Sequence, residues 1–232
     1  MIAVITYDAP HKKTQDLIYK LILKGYSNIH LLVIPWKERE NYLPLFKHRP
    51  SNAVPITIEE ISTRLHLSYT RLEIEGINDY LLKNKFNHIL IGGAGILPAN
   101  LSKNNKIINS HPGYLPNLKG LDALKWAIYA DQPIGVSTHY ISDKADEGEL
   151  IERVIVPVYF EDTFHSVCYR IYDTEIDMLV NAIMMIEQNI SGLDVLGDDE
   201  FRANRRMPHH IENIMISKFE DLRKKSKSFK IV

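Results

Sequence analysis

The residues best suited to chemistry lie in one stretch, Ile107-Ile108-Asn109-Ser110-His111-Pro112-Gly113-Tyr114-Leu115-Pro116. An apolar run leads into Asn109 and His111, and a spacing of two puts both side chains on one face of a strand. Pro112 biases His111 toward extended backbone, which preserves that alternation. An amide can donate to an oxygen that gains negative charge, and an imidazole can carry a proton near neutral pH. Standing alone, Asn-x-His at a strand end is more often a solvated polar terminus than a site. A second stretch changes the odds: Ala145-Asp146-Glu147-Gly148-Glu149-Leu150 places a carboxylate in a turn that Gly148 permits. Brought near His111, Asp146 would orient the ring and hold its protonated form.

The elements that must position these groups follow from periodicity. The apolar runs Ile2–Thr6 and Ile29–Ile34 flank a helical pattern over Thr14–Lys24, a strand-helix-strand opening. Shorter helices are expected over Ile58–Leu67 and Asn78–Lys85, and strands over Asn87–Ile91 and Lys106–Asn109. After a helix at Leu121–Ala130, the runs Ile134–Ile141 and Leu150–Val156 succeed one another without a helix between them, which predicts an antiparallel pair. Thr163–Gln188 reads as a long helix with Val167, Ile171, Ile176, Leu179, Val180 and Ile183 on its apolar face. The whole predicts an α/β, Rossmann-like, mostly parallel twisted sheet with helices on both faces. Ligands bind such sheets beyond the carboxyl ends of the strands, where Asn109 and His111 fall.

Composition bounds the answer. The chain has 232 residues, 28 Lys and Arg against 29 Asp and Glu, and a single cysteine, Cys168. At ~150 residues per domain this is one domain with additions. The charge balance argues against a nucleic-acid partner, which calls for a basic excess. One cysteine precludes an internal disulfide and fits a reducing, cytoplasmic setting; Cys168 itself reads as a buried helix thiol. No apolar run approaches the ~20 residues that span a bilayer. Gly92-Gly93-Ala94-Gly95 lacks the G-x-G-x-x-G spacing and runs on to Pro98, so it is not read as a dinucleotide loop.

Together with Gly95-Ile96-Leu97-Pro98, Gly120, Gly135 and Thr138-His139-Tyr140, the two motifs resemble the folate-dependent formyltransferases, which include the glycinamide ribonucleotide, methionyl-tRNA and sugar-nucleotide enzymes. The likeness runs from about residue 86 to 158. It implies the formyltransferase fold, 10-formyltetrahydrofolate as co-substrate without a metal, and Asn109, His111 and Asp146 as the catalytic residues. By the same resemblance the folate would lie against the loops at Gly95, Ile96 and Leu97 and at Ile141 to Ala145, where Ile141 and Asp143 are the expected contacts.

The acceptor is less legible. The loop Thr6-Tyr7-Asp8-Ala9-Pro10-His11-Lys12-Lys13 has no glycine, unlike the Gly- and Ser-rich phosphate loop of the glycinamide ribonucleotide enzymes. Fewer than about 45 residues follow position 190, too few for the β-barrel of the methionyl-tRNA enzymes, so 1–190 is expected to form the catalytic domain and 191–232 a helical extension with a basic, solvated tail holding Arg202, Arg205 and Arg206. The sugar-nucleotide enzymes remain, with a nucleotide-linked amino sugar as the small-molecule substrate. Tyr7, His11, Lys12, Lys13, Arg49 and Tyr114 are the candidate contacts, and Trp36, Tyr42 or Tyr114 would offer a slot for a base. Two other readings stay open: a formyltetrahydrofolate hydrolase, though no room is expected for the regulatory domain of those enzymes, and a non-catalytic folate- or nucleotide-binding module. A homodimer is also left open.

Overall fold

The computed structural model describes residues 1–37, 43–51, 54–190 and 201–229. The chain opens on β1 (Ile2–Tyr7), buried at every position, the pattern of a strand covered on both faces. Helix α1 (Lys12–Leu23) buries Thr14, Leu17, Ile18 and Leu21 on one stripe and leads to β2 (Ile29–Ile34), parallel to β1. Then come α2 (Ile58–Leu65), β3 (Ser68–Arg71), a single 3-10 turn at Ile74–Gly76, and α3 (Ile77–Lys83). The second half contains β4 (His88–Ile91), α4 (Ala99–Asn104), β5 (Ile107–His111), α5 (Ala123–Tyr129), β6 (Gly135–Tyr140) and β7 (Leu150–Ile155). Two longer helices close it, α6 (Phe164–Glu187) and α7 (His209–Lys225).

The strands form one sheet in the order β3-β2-β1-β4-β5-β6-β7. Pairing is parallel from β3 to β5, while β6 runs antiparallel to both β5 and β7. This is the Rossmann-like, mostly parallel architecture expected from the sequence. The late antiparallel pair is sharpened, because β6 also reverses against β5. The chain winds outward to one side as β1-β2-β3 and to the other as β4-β5, so the order reverses between β1 and β4. In an open α/β sheet the crevice at that reversal is the ligand site.

Two elements were not legible. β3 reads Ser-Tyr-Thr-Arg and lies exposed at the sheet edge, so burial imposes no apolar pattern on it. α4 is a six-residue helix with Leu101 as its one buried residue, too short for periodicity to register.

α6 carries most of the helical packing on one side of the sheet. A capping box between Thr163 and Ser166 starts it, and Val167, Ile171, Ile176, Leu179 and Ile183 are all buried. α7 is held to the same core: Met215 and Phe219 are fully buried, and Phe219 meets Phe164 edge-on at 5.8 Å. Between α5 and α7 the side chains of Lys125 and Glu212 form an ion pair with no solvent exposure. Cys168 lies in this core, where burial pushes its thiol up to about 12 and leaves it unreactive.

Candidate active site

β5 ends on the candidate catalytic residues. Asn109 and His111 alternate onto one face of the sheet, and the antiparallel register sets His139 of β6 directly opposite Asn109. Three nitrogen-bearing side chains are therefore gathered by strand pairing alone. Asp146 arrives from the β6–β7 connection, in left-handed backbone at φ 55°. Asp tolerates that region better than most residues. Gly148 follows at φ 121°, and a Cβ there would stand 2.2 Å from the Tyr140 carbonyl oxygen, so the turn that delivers Asp146 requires glycine.

The geometry of His111 is specific. Its Nε2 donates to the Leu118 carbonyl at 2.7 Å, and its Nδ1 stands 3.3 Å from Asp146 Oδ1. Both partners are acceptors, so a proton on each ring nitrogen satisfies both contacts. Gly113 makes the first contact feasible: a Cβ there would lie 2.5 Å from the Leu118 oxygen and 2.6 Å from Nε2. Asp146 is anchored in turn, its Oδ2 accepting the Gly120 N–H at 2.7 Å. The neighbouring Glu147 pairs with the buried Lys119 at 2.9 Å. Both ring nitrogens of His111 thus face acceptors of the protein.

His139 enters the sequence analysis only as part of the Thr138-His139-Tyr140 motif and was given no role there. It is 1% exposed. Its Nδ1 donates to the Tyr140 carbonyl at 2.9 Å, and Nε2 is buried without a hydrogen-bond partner. Burial lowers its pKa first, and the His111 charge adds to that against the pull of Asp146, so the ring stays neutral.

Two adjoining cavities meet at these residues. The smaller, about 600 Å³, is lined by the β1–α1 loop (Tyr7, Pro10, His11, Lys12, Lys13), by Trp36 and Arg49, and by Glu175 of α6. The larger, about 1200 Å³, is lined by Gly95, Ile96, Leu97, Ile141, Asp143 and Asp146 among others. Asn109 and His111 line both. All five expected folate contacts thus lie on the larger cavity, and five of the six expected acceptor contacts on the smaller.

The exception is Tyr114. It lines neither cavity; its ring lies under the Arg153 guanidinium at 5.0 Å and against Gly135. The cross-strand neighbours of β6 and β7 claim it for packing. Tyr42 lies outside the described residues.

The lysines also differ from expectation. Lys12 pairs with Asp16 at 2.8 Å, and Lys13 with Glu175 at 2.8 Å. Glu175 takes Arg49 as well. Burial pushes the Glu175 carboxyl up, but Arg49 and Lys13 together outweigh it and hold the group at about 2. Glu175 had a readable signal: it sits four residues from both Ile171 and Leu179, on the apolar face of α6. A carboxylate there needs partners.

His11 faces the same cavity. It is lowered to about 4, chiefly by burial and then by Lys13 and Arg49, and its Nδ1 contacts Thr14 Oγ1 at 3.0 Å. The reading of residues 202–206 as a solvated tail is corrected at Arg206, which lines both cavities. The signal for this is tertiary: Asn204 bridges to Gly120, and no local pattern announces that.

Among the described residues, no helix is long and apolar enough to cross a membrane, and no group of three or more His, Cys, Asp or Glu could hold a metal ion.

Residues 84–183 match the formyl transferase family model. That stretch contains Asn109, His111, Asp146 and Glu175, and so most of the site. The chain is 28% identical over 131 residues to a phosphoribosylglycinamide formyltransferase of Haemophilus influenzae, covering 52% of this chain and 62% of that one. It is 30% identical over 115 residues to the mitochondrial formyltetrahydrofolate deformylase 2 of Arabidopsis thaliana, covering 48% and 33%. The matches therefore span less than two thirds of these relatives. Among solved structures, a sugar N-formyltransferase from a Shewanella species superposes with a TM-score of 0.62 over 94% of this chain and 87% of that one, at 18% identity, a likeness of fold.

Proposed function

We propose that the protein transfers a formyl group from 10-formyltetrahydrofolate to a primary amine, and that the acceptor is the amino group of a nucleotide-linked amino sugar. The observation that carries the reading is the convergence of Asn109, His111 and Asp146 at the seam of two cavities, the arrangement a two-substrate group transfer needs. The family match over residues 84–183 supports the formyl-transfer chemistry.

The larger cavity suits the folate. Ile91, Leu97 and Ile141 give it apolar walls. When bound there, 10-formyltetrahydrofolate supplies the electrophilic formyl carbon. Asn109 donates its amide to the oxygen that becomes negative as the amine adds, and the His111 charge stabilises the same oxygen from behind. Asp146 fixes the ring of His111 and, through water, passes the proton lost by the amine to the folate nitrogen, whose bond to the formyl carbon breaks as the adduct collapses to the formamide and tetrahydrofolate. We assign the catalytic chemistry to 1–190, with Ala203, Asn204 and Arg206 walling the site, in a cytoplasmic setting.

The acceptor assignment is supported by the aromatic pair Tyr7 and Trp36, whose ring centroids lie 4.7 Å apart on the smaller cavity, and by its basic lining. The test is to incubate the protein with 10-formyltetrahydrofolate and, in turn, uridine, thymidine and guanosine diphosphate-linked amino sugars and glycinamide ribonucleotide. Tetrahydrofolate release and formylamide mass are read together. A formylated nucleotide-linked sugar is the expected product. Formylation of glycinamide ribonucleotide alone would reassign the acceptor, and formate release without any amine would make the protein a hydrolase.

A further inference from the structure

Residues 43–51 of the β2–α2 connection form a strap that walls both cavities: Arg49, Pro50 and Ser51 line the smaller, His48 and Arg49 the larger. The strap has neither helix nor strand, so its path depends on what grips it. The first turn of α7 takes its main chain twice. His209 Nε2 donates to the Leu43 carbonyl at 2.9 Å, and Glu212 Oε2 accepts the Leu45 N–H at 2.7 Å. These two residues are three apart and so share one face of the helix. Phe46 adds an edge-on contact to Phe164 at 6.2 Å.

Glu212 is placed to act as a connector. Its side chain has no solvent exposure, so each carboxylate oxygen must find a donor inside the protein. Oε1 takes the ammonium of Lys125, equally unexposed on α5, and Oε2 takes the Leu45 N–H. Lys125 balances the charge, and the second oxygen ties the strap to that pair. Asp122 extends the same base: it accepts the Met207 N–H at 3.0 Å and lies 3.6 Å from His48 Nε2. The strap, α5 and α7 are thereby closed into one ring of polar contacts. The match to the family model ends at residue 183, so α7 and both of its gripping residues lie beyond it.

We propose that Glu212 is a positioning residue for the smaller cavity: by holding the Leu45 N–H it latches the strap, and so sets where Arg49, Pro50 and Ser51 stand as a wall for the amine acceptor. The role in acceptor binding rests on the formyl-transfer reading above; the latch itself does not. Phe46 is no substitute, because an apolar contact is non-directional, whereas a hydrogen bond to a peptide N–H fixes the direction of the backbone. Pro44 and Pro50 bracket the strap with restricted φ, so a shift at Leu45 is carried along the chain to Arg49. Glu175 holds the Arg49 guanidinium but not the main chain that bears it. A helix of the C-terminal segment thus shapes substrate binding without touching substrate.

Leu45→Pro removes the N–H and leaves the Glu212–Lys125 pair in place, while Leu45→Ala keeps the N–H and loses only the side chain. Hydrogen exchange of the 43–49 amides, read by mass spectrometry, tests the latch, with thermal unfolding as a control for folding. Exchange there is expected to quicken about tenfold or more in L45P and to stay near wild type in L45A. Kinetics are read with whichever diphosphate-linked amino sugar the wild-type protein formylates. L45P is expected to raise its KM about fivefold or more, with kcat and the folate KM within about twofold. The folate KM is spared because the larger cavity takes most of its wall from the turns between β4 and β7. Unchanged strap exchange in a folded L45P would overturn the latch. Faster exchange with an unchanged acceptor KM would overturn its role in binding, as would a fall in kcat alone. L45A behaving like L45P would overturn both, since the side chain and not the N–H would then be responsible. If L45P fails to fold, Lys125→Met combined with Glu212→Met decides by the same criteria, since it removes the acceptor of the Leu45 N–H without leaving a buried charge unpaired. N–H-dependent strap exchange without formyl transfer to any amine would sink the enzyme reading and leave the latch standing. Formyl transfer with a strap indifferent to these changes would do the reverse.

Discussion

The two cavities are built in different ways. The larger is made mostly from pieces close together in the chain, the loop after β4, the end of β5 and the β6–β7 turn, with His48, Arg49 and residues 203, 204 and 206 added from elsewhere. Its key contacts are short-range or set by strand register, such as His111 with Leu118 and Asn109 opposite His139. The smaller is assembled from parts that are far apart in sequence. Lys13 meets Glu175 across 162 positions and Arg49 meets it across 126. One cavity is a product of local turn chemistry, the other of tertiary docking between α1, the β2–α2 connection and α6. The first is therefore expected to fail through geometry and the second through uncompensated charge.

The largest effect should come from the seam itself. Replacing His111 and Asn109 together by Ala is expected to lower formyl transfer by ~10³-fold or more, about 4 kcal/mol of barrier, with the unfolding temperature little changed. Retained activity in that double variant would break the assignment for both cavities at once.

Next is the smaller cavity. Glu175→Ala leaves Lys13 and the Arg49 guanidinium without their shared counter-ion and should cost about 3 kcal/mol of stability in denaturant unfolding. A change under ~0.5 kcal/mol would mean that the pairing is surface-like and the cavity not held by charge.

For the larger cavity, Gly148→Ala should cost ~1–2 kcal/mol, because the new Cβ must displace the Tyr140 carbonyl in backbone that disfavours it. Activity should fall more than stability, since Asp146 moves with the turn. Equal losses would indicate a turn that matters for folding alone.

The smallest effect is acid sensitivity. His11 and His48, both lowered from 6.5 to about 4 and chiefly by burial, refuse protons that the unfolded chain accepts. Stability should therefore fall as pH drops from 6.5 toward 4. Glu175, held at about 2 from 4.5 by Arg49 and Lys13 against its burial, extends the loss from pH 4.5 downward. His11→Gln should flatten the upper part of the unfolding-temperature profile and leave the part below pH 4 intact. An unchanged profile would mean that the imidazole titrates normally.

The same contrast explains what could be read early. β1, β2, β4 and β5 are legible because a strand buried on both faces must be apolar throughout. The site around Asn109, His111 and Asp146 is legible because strand alternation, proline and turn glycine constrain it within a few residues. Ile96, Leu97, Ile141 and Asp143 were named as expected folate contacts from the resemblance alone, since loop backbones carry little side-chain signature. β3 escaped notice because an exposed edge imposes no pattern. Tyr114 was misplaced because an aromatic ring next to a catalytic motif looks the same in sequence whether it stacks on a ligand or on Arg153.

By itself the sequence determined the parallel sheet, the alternation that aligns Asn109 with His111 and the turn that carries Asp146. Each follows from forces that act over a few residues: side-chain periodicity, restricted backbone angles and the burial of apolar runs. Only the tertiary structure decided that Lys12 and Lys13 are spent on internal ion pairs, that Glu175 ties Lys13 to Arg49, and that Arg206 leaves the apparent tail to stand between two cavities. Electrostatics reaches across space and is indifferent to sequence separation, so the charge of a cavity becomes readable only when the chain has been folded around it.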